Sequence, residues 1–389
     1  MCLFKYELKK ILLSKVSIII LIFFVLFCIC YPAILTYEYN EGVNKSGLTL
    51  DDVNDFFRSN ESNLDIDMCY EKVDLLKSNK EDSEFFTVVL GTMCNYLEEV
   101  NLRKYGKLLV TINSSLEEKE NEYISLEHVN KRILELEKEE KTELPEYQRL
   151  IDEKEKIQLA GDPQLEIVYF WQQFDTYETV AVIIFIIMFI FLCAQSFTKE
   201  KESYMQIIID SSYHGKKDIL LYKCGAFFTI GIGGLLLINV CMGVILFIFG
   251  TNNGYNCTLS SLGLNYAYTP YCLNILQYCC LKVIYQSIVI LIVSSILLYL
   301  LIKIDEGMIA SVLSLLLVIA GFLVKIVVPN SLYLICFVST GLTVDNLFDR
   351  YKAIHIGNQI ITYPILYGCI LAIILLMSMK LIFMSCKKR

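Results

Sequence analysis

Long apolar runs alternate with short polar segments along most of this chain. A helix needs about 20 mostly apolar residues to cross the hydrocarbon core of a bilayer. Six runs have that length: 16–36, 179–197, 224–250, 279–302, 308–328 and 360–384. Each run must be helical inside a bilayer, because its backbone groups can bond only to one another there. The pattern predicts an all-α membrane protein with six transmembrane helices.

A different pattern fills the segment between the first two runs. Apolar residues at three- and four-residue steps predict an amphipathic helix over 83–105 and a longer helix from Gly106 to about Pro145. The long helix carries a narrow coiled-coil seam made of Leu109, Ile112, Leu116, Tyr123, Leu126 and Ile133. The pattern resumes after Pro145 with Tyr147, Leu150, Ile151 and Ile157. We therefore expect a helical hairpin or coiled-coil domain that packs on a partner helix from the same insert.

Charge also separates this insert from the rest of the chain. The 389 residues contain 34 Lys and Arg and 42 Asp and Glu, a net charge of -8. Residues 38–175 hold 32 of the acids and 16 of the bases, a net of -16, and the remainder has a net of +8. An acidic insert inside a basic, apolar frame excludes a single soluble globule, a disordered chain and a disulfide mini-protein.

Lysines in the short loops predict the orientation of the chain. They are concentrated before the first run, between the second and third runs, and at the end of the chain. The opposite side has no Lys or Arg from Thr251 to Leu281. The positive-inside rule then predicts a multi-pass plasma-membrane protein with both termini in the cytoplasm and residues 38–175 outside the cell.

Catalytic and metal-binding patterns are missing from the sequence. The three histidines lie far apart, and the residue five positions before Gly215-Lys216 is Asp210 rather than the Gly of a phosphate-binding loop. We expect no catalytic, cofactor-binding or metal site in this chain. The pairs Cys69 with Cys94 and Cys257 with Cys272 can each form a disulfide on the outer side, or remain thiols.

Polar residues are sparse inside the predicted spans. Lys282, Lys325 and Lys380 lie near span ends, where they are expected to extend toward the membrane surface. No Asp or Glu occurs mid-span, which disfavours a proton- or sodium-coupled carrier. Uncharged polar residues either line a substrate path or bond between helices. The candidates for a path are Gln195, Asn239, Gln286, Ser295 and Ser311.

The loop between the second and third runs carries apolar residues on a charged background, a composition that favours docking of a partner protein. Here the chain resembles the permease subunits of type-2 ABC exporters. Their loop has an acid just after the second span, a Gly or Ser/Thr stretch, a turn, Arg, then Ile and Lys entering the third span. Glu200, Ser211-Ser212, Lys216, Ile219 and Lys223 fall on those positions. Lys216 replaces the usual Arg, and the turn lacks Pro.

The layout extends the resemblance. Residues 1–15 form a predicted amphipathic interfacial helix, with Phe4, Leu8, Ile11 and Leu12 opposite Lys5 and Lys9. Residues 16–37 follow as the first span, 38–175 as the extracytoplasmic acidic helical domain, and 176–389 as spans two to six with a coupling loop at 198–223. The large insert resembles bacterial permeases for peptide or antibiotic export and self-immunity.

This resemblance implies the partners. A permease of this family pairs into a homodimer or heterodimer in the lipid membrane and binds separate ATPase subunits, which hold ATP and Mg. It implies neither a cofactor in this chain nor a nucleic-acid partner. The docking residues would be Glu200, Tyr204, Met205, Ile208, Ile209, Ser211, Ser212 and Lys216. Residues 331–358 would form re-entrant outer helices.

Two readings of the function follow. The first is the exporter permease, which forms the path for a peptide or another amphipathic substrate. The alternative is a non-transporting membrane scaffold or receptor, whose outer helical domain binds a ligand or partner. The acids of the insert favour cationic peptides by electrostatic steering, or they serve only to keep an exposed coiled coil soluble.

Overall fold

A bundle of long helices forms most of the protein. The computed structural model describes residues 2–46, 126–161, 163–164, 168–202, 215–248, 254–304, 306–327, 337–356 and 359–387. Within these ranges six helices are long and apolar enough to cross a membrane, and there is almost no sheet. The predicted fold class, an all-α membrane protein, is confirmed.

The helices and strands have the following bounds. The helices are α1 (Cys2–Leu12), α2 (Lys15–Ser46), α3 (Leu126–Lys138), α4 (Pro145–Leu159), α5 (Tyr169–Glu202), α6 (Gly215–Ile248), α7 (Ile275–Lys303), α8 (Gly307–Val327), α9 (Thr340–Thr343), α10 (Asp345–Phe348) and α11 (Tyr363–Lys387). The strands are β1 (Ala353–Ile356) and β2 (Gln359–Thr362), which pair antiparallel. The six candidate spans are α2, α5, α6, α7, α8 and α11.

The spans extend beyond the apolar runs that predicted them. α5 begins at Tyr169 and α6 at Gly215, well before the runs that start at Thr179 and Cys224. Hydropathy marks only the part of a helix that matches the hydrocarbon core, so polar turns at either end escape it. The sixth run begins inside β2, and its helix starts only at Tyr363. Pro364 fits the first turn of that helix because it has no N–H to leave unpaired.

Helix α7 lies at the centre of the bundle and contacts α5, α6, α8 and α11. The contact between α5 and α6 depends on Gly234, where an added Cβ would lie 2.1 Å from the Phe185 ring. Phe185 in turn packs against Phe24 of α2, with ring centroids 5.7 Å apart. Close approach at a glycine therefore lets aromatic side chains fill the space between three spans.

The bundle has two ends that differ in their surroundings. At the insert end, α5, α7 and α11 begin: Asp175 of α5 contacts Lys282 of α7, and the Tyr285 hydroxyl of α7 donates to the Pro364 carbonyl of α11. At the terminal end, α1 meets the end of α5 and the start of α6, where Lys10 and Lys223 both pair with Glu200. α1 presents Ile11 inward and Lys5 and Lys9 outward, as the amphipathic pattern predicts.

Residues 126–159 of the insert form a helical hairpin. The long helix predicted to reach Pro145 ends at Lys138 instead, because Glu140 has a positive φ of 56°. The Lys141 N–H donates to the Leu136 carbonyl and the Glu140 N–H to the Glu137 carbonyl. This is a Schellman termination, in which a left-handed residue satisfies the last carbonyls of a helix. The chain then reverses and α4 starts at Pro145.

An apolar seam joins the two arms of the hairpin. Val129, Ile133 and Leu136 of α3 are buried against Leu150 of α4, with Tyr147 and Ile151 alongside. Ile133 is on the buried side as predicted, and the partner helix comes from the same insert. The predicted helix at 83–105 and the seam residues Leu109 to Tyr123 lie outside the described residues.

A cap covers the insert end of the bundle; we define it as residues 254–274 and a second segment made of residues 337–356 and 359–362. It contains two short 3-10 helices, Leu259–Leu262 and Leu264–Tyr266, followed in the second segment by α9, α10 and the β1–β2 hairpin. Leu342, Leu347 and Phe348 are buried in the main core. The re-entrant helices predicted over 331–358 are therefore two four-residue helices and a strand, in the part of that segment that is described.

The seam of the hairpin gives a first prediction. Leu136 is 1% exposed and its neighbour Leu134 is 54% exposed. Leu136→Ala removes buried methyl groups and should cost about 2–5 kcal/mol of hairpin stability, while Leu134→Ala should cost about 0.5 kcal/mol or less. Hydrogen exchange of the α3 and α4 amides in the full chain measures both. Equal protection in the two variants would contradict the seam.

Candidate functional site

An ion cluster ties α5 to α7 at the insert end of the bundle; it consists of the buried Glu178, Lys282 and Gln286 and of Asp175, whose side chain is 19% exposed. Lys282 is 2% exposed. Its Nζ lies 2.6 Å from Asp175 Oδ1, 2.9 Å from Glu178 Oε2 and 2.7 Å from Thr179 Oγ1. Asp175 and Glu178 are three residues apart, so both carboxyl groups lie on the face of α5 that meets α7.

Gln286 extends the cluster by one turn of α7 and joins it to the cap. Its Nε2 donates to Glu178 Oε2 and to the Leu342 carbonyl of α9, at 3.0 Å each. Gln286 is 0% and Glu178 1% exposed. The cluster thus connects two spans and the cap through hydrogen bonds that are shielded from water, where they are strong.

Two tyrosines cover the cluster on the cap side. The Tyr266 and Tyr278 hydroxyls lie 2.7 Å apart, and each also faces Asp175, at 3.4 and 3.3 Å. The Tyr278 ring packs edge-on against Phe348, with centroids 5.7 Å apart. Aromatic side chains of this kind exclude water and lower the local dielectric constant. The electrostatic interactions between the charges of the cluster are therefore stronger than they would be in water.

The expectation that Lys282 extends to the membrane surface is wrong. Two carboxylates hold it inside the protein, about two helical turns from the start of α7 at Ile275. The buried Glu178 lies about 12 Å along the helix axis from Phe170, in the first part of the second span rather than at its middle, so it does not contradict the expectation of no buried acid mid-span. The sequence did contain a signal for the cluster. Asp175 and Glu178 lie one turn apart just before one apolar run, and Lys282 lies near the start of another.

The other two intramembrane lysines behave differently. Lys325 pairs with Asp345 of the cap at 2.8 Å and is about one-third exposed. Lys380 is exposed on α11, in keeping with the predicted extension toward the surface. Lys282 is thus the only one of the three that is fully buried.

A second charged junction lies at the terminal end. The Glu200 carboxylate pairs with Lys10 of α1 and Lys223 of α6. The Lys223 ammonium also lies 4.4 Å from the Phe197 ring centroid. Glu7 of α1 is buried beside this junction, and burial raises its pKa, which Glu200 raises further while Lys223 and Lys10 lower it. The junction joins α1, the end of α5 and the start of α6.

The residues predicted to dock an ATPase flank or fill the segment that follows. Glu200 is 7% exposed, so it holds the base of the loop. Lys216 lies in the first turn of α6. The other predicted docking residues, Tyr204, Met205, Ile208, Ile209, Ser211 and Ser212, lie outside the described residues.

Most of the residues predicted to line a path form hydrogen bonds within their own helices. Ser295 donates to the Leu291 carbonyl and contacts Met379 Sδ, and Ser311 donates to the Gly307 carbonyl. Asn239 donates to the Leu235 carbonyl, within its own helix. Gln195 is half-buried on α5, and Gln286 belongs to the ion cluster. Helix bonding accounts for most of these polar groups.

The predicted disulfides concern the cap and the insert. Cys257 is buried in the cap and Cys272 carries an exposed free thiol, so the structure does not join them. Cys69 and Cys94 lie outside the described residues. For Cys272 the structure therefore agrees with the alternative, an unpaired thiol.

The hairpin touches the cap through a polar contact. The Tyr351 hydroxyl donates to Asp152 of α4, and the Lys156 ammonium lies 2.7 Å from Asp152 and 5.3 Å from the Tyr351 ring centroid. Farther along, the Gln164 N–H donates to Ser261 Oγ at 2.7 Å. These contacts connect the insert to the same cap that Gln286 reaches from below.

Comparison of the chain with family models, with curated proteins and with solved structures gives no match. Over the part of the chain that the structure describes, no three His, Cys, Asp or Glu side chains are grouped to hold a metal ion. Fold and geometry define a six-span helical membrane protein with an ion-paired junction at each end of its bundle.

Glu153 of α4 makes the stability of the hairpin sensitive to pH. Burial raises its pKa to about 7 from an ordinary value of 4.5; Arg149 lowers it and Asp152 raises it. The folded hairpin thus binds a proton more tightly than the unfolded chain does, so this stabilisation is complete below about pH 4.5 and lost as pH rises through about 7.

The free energy of opening of the α4 amides should therefore fall by roughly 3 kcal/mol between pH 4.5 and about pH 7. Hydrogen exchange, corrected for the intrinsic effect of pH, measures it. In Glu153→Gln the protection should stay level, because the amide does not titrate. A wild-type profile that matches the Glu153→Gln profile would contradict the assignment.

Proposed function

We propose that this chain is the permease subunit of an ATP-driven exporter, with both termini in the cytoplasm and the insert outside. The observation that carries the proposal is the junction at the terminal end. Glu200, at the end of the second span, pairs with Lys223 at the start of the third span and with Lys10 of the amphipathic helix. The resemblance of segment 198–223 to a permease coupling loop supports the same reading.

The junction suits a loop that transmits force. α5 ends at Glu202 and α6 begins at Gly215, and the buried Glu200 holds these two helix ends together through its pair with Lys223. A buried ion pair with additional partners resists separation, because parting the charges would leave each one desolvated and alone. A partner that moves the loop therefore moves α5, α6 and α1 as a unit.

The partner supplies the chemical energy. The chain has no phosphate-binding loop, so ATP and Mg belong to a separate ATPase subunit. Met205, Ile208 and Ile209 give the loop sequence apolar residues among charged neighbours, the composition of a protein-docking segment. We assign to Glu200 the role of holding the base of the loop. We assign the contact with the ATPase subunit to Met205, Ile208 and Ile209.

The substrate path belongs to the contact between two copies of the permease. Ser295, Ser311 and Asn239 donate hydrogen bonds within their own helices, and Gln286 serves the ion cluster. Exposed apolar faces remain on α2 and α8, where a second copy or lipid can pack. The proposed substrate is a peptide or another amphipathic molecule, and the acidic insert would attract cationic ones.

A non-transporting receptor or scaffold is the second candidate. The contact of Asp152 and Lys156 with Tyr351 favours it, because a ligand bound to the insert could act on the cap. The two candidates differ in one partner. A tagged full-length chain, extracted in mild detergent, should co-purify with an ABC ATPase subunit if it is a permease, and without one if it is a receptor.

Docking gives a prediction with a matched control. Ile208→Asp and Ile209→Asp place a charge on the apolar surface of the loop and should each lower recovery of the ATPase subunit about tenfold or more, by at least ~1.4 kcal/mol. Leu134→Asp makes the same kind of change on the exposed face of the insert and should leave recovery unchanged. Quantitative pull-down from membranes with equal permease content measures all three.

Two outcomes would contradict the proposal. Unchanged recovery in both loop variants would move the docking site away from segment 203–214. Loss of the ATPase subunit in Leu134→Asp alone would place the insert in the cytoplasm and invert the orientation.

A further inference from the structure

Two buried oxygens of the ion cluster accept no hydrogen bond from any described residue: Glu178 Oε1 and Gln286 Oε1. The orientation of the Gln286 amide is fixed, because its Nε2 donates to two acceptors, Glu178 Oε2 and the Leu342 carbonyl. Turning the amide over would place its oxygen against both acceptors. Since Glu178 and Gln286 are 1% and 0% exposed, bulk solvent does not reach these oxygens.

The donors nearby are already in use. Lys282 has three N–H groups. Four acceptors lie within 2.9 Å of its nitrogen: Asp175 Oδ1, the Asp175 carbonyl, Thr179 Oγ1 and Glu178 Oε2. The Tyr266 and Tyr278 hydroxyls face each other and Asp175. None of these groups has a hydrogen left for Glu178 Oε1 or Gln286 Oε1.

The charges of the cluster do not balance. Asp175 and Glu178 bring two carboxylates, and Lys282 brings one ammonium. The next acid, Asp345 of the cap, is neutralised by its own partner, Lys325. The Asp175 side chain is 19% exposed, so water offsets part of its charge, whereas Glu178 is buried and shares the one ammonium with Asp175. Burial of an incompletely compensated carboxylate is costly, and two unpaired acceptors add to that cost. A single positive charge at the two oxygens would remove both penalties together.

We propose that Glu178 Oε1 and Gln286 Oε1 bind one further monovalent cation, either an alkali-metal ion or a proton held on Glu178. Both sources share the chemistry that the site requires: one positive charge delivered to two oxygens. Gln286 also holds the Leu342 carbonyl, so an ion at this site would tighten α5, α7 and the cap together. The inference stands apart from the proposed transport role, because it concerns the ion alone.

Thermal unfolding of the full chain in detergent tests the alkali-metal source. Protein prepared in choline chloride is titrated with NaCl or KCl at constant ionic strength. A bound ion predicts a saturable rise in Tm of at least about 2 °C for one or both salts. Glu178→Gln neutralises the carboxylate and should abolish that response, whereas Glu200→Gln, a buried acid at the opposite end, should keep it.

Infrared spectroscopy tests the proton source. A proton on Glu178 predicts a carboxylic-acid C=O band in choline chloride that shifts in D2O and disappears in Glu178→Gln but not in Glu200→Gln. Should Glu178→Gln fail to fold, Gln286→Met serves instead: it removes one oxygen and should lower the apparent alkali-ion affinity tenfold or more, or shift the band. The proposal fails if wild-type protein shows neither a saturable salt response nor the band, or if either one persists unchanged in Glu178→Gln.

Discussion

The pairing of Lys282 with Asp175 and Glu178 is the interaction on which the insert end of the bundle depends. Each charge loses its hydration on burial, and only good geometry with further hydrogen bonds compensates for that loss. The geometry is provided by two carboxyl groups one turn apart on α5 and by the Thr179 hydroxyl, all within 3 Å of the ammonium. The position of the cap depends on the same charges, because Gln286, Tyr266 and Tyr278 form their hydrogen bonds around them.

α5 connects the two charged junctions of the protein. From Asp175 to Glu200 the helix is continuous and rises about 37 Å. At one end it carries the ion cluster beneath the cap, and at the other it carries the carboxylate that holds Lys10 and Lys223. In an exporter driven by an ATPase, such a helix would carry movement of the loop to the cap and to the insert that rests on it.

Hydropathy was sufficient to predict the spans, because about 20 apolar residues leave few alternatives to a membrane helix. It was not sufficient for the ion cluster. Glu178 lies just before the apolar run of its span and Lys282 just inside another, so each resembled an ordinary flanking charge. Glu178 and Lys282 can pair only because α5 and α7 lie parallel and in contact. That contact belongs to the tertiary structure, and a local sequence pattern does not predict it. The hairpin shows the same division: Ile133 was predicted on the buried side, but the end of α3 at Lys138 depends on the left-handed conformation of Glu140.

The most direct measurement is the free energy of unfolding of Lys282→Met in the full chain. The variant keeps the length of the side chain but leaves the buried Glu178 and the partly exposed Asp175 without their ammonium, so we expect a loss of about 3–5 kcal/mol. Lys325→Met removes a partly exposed lysine from the same end of the bundle and should cost about 1 kcal/mol or less. Adding Glu178→Gln to Lys282→Met should recover part of the loss. An effect of Lys282→Met no larger than that of Lys325→Met would contradict the account.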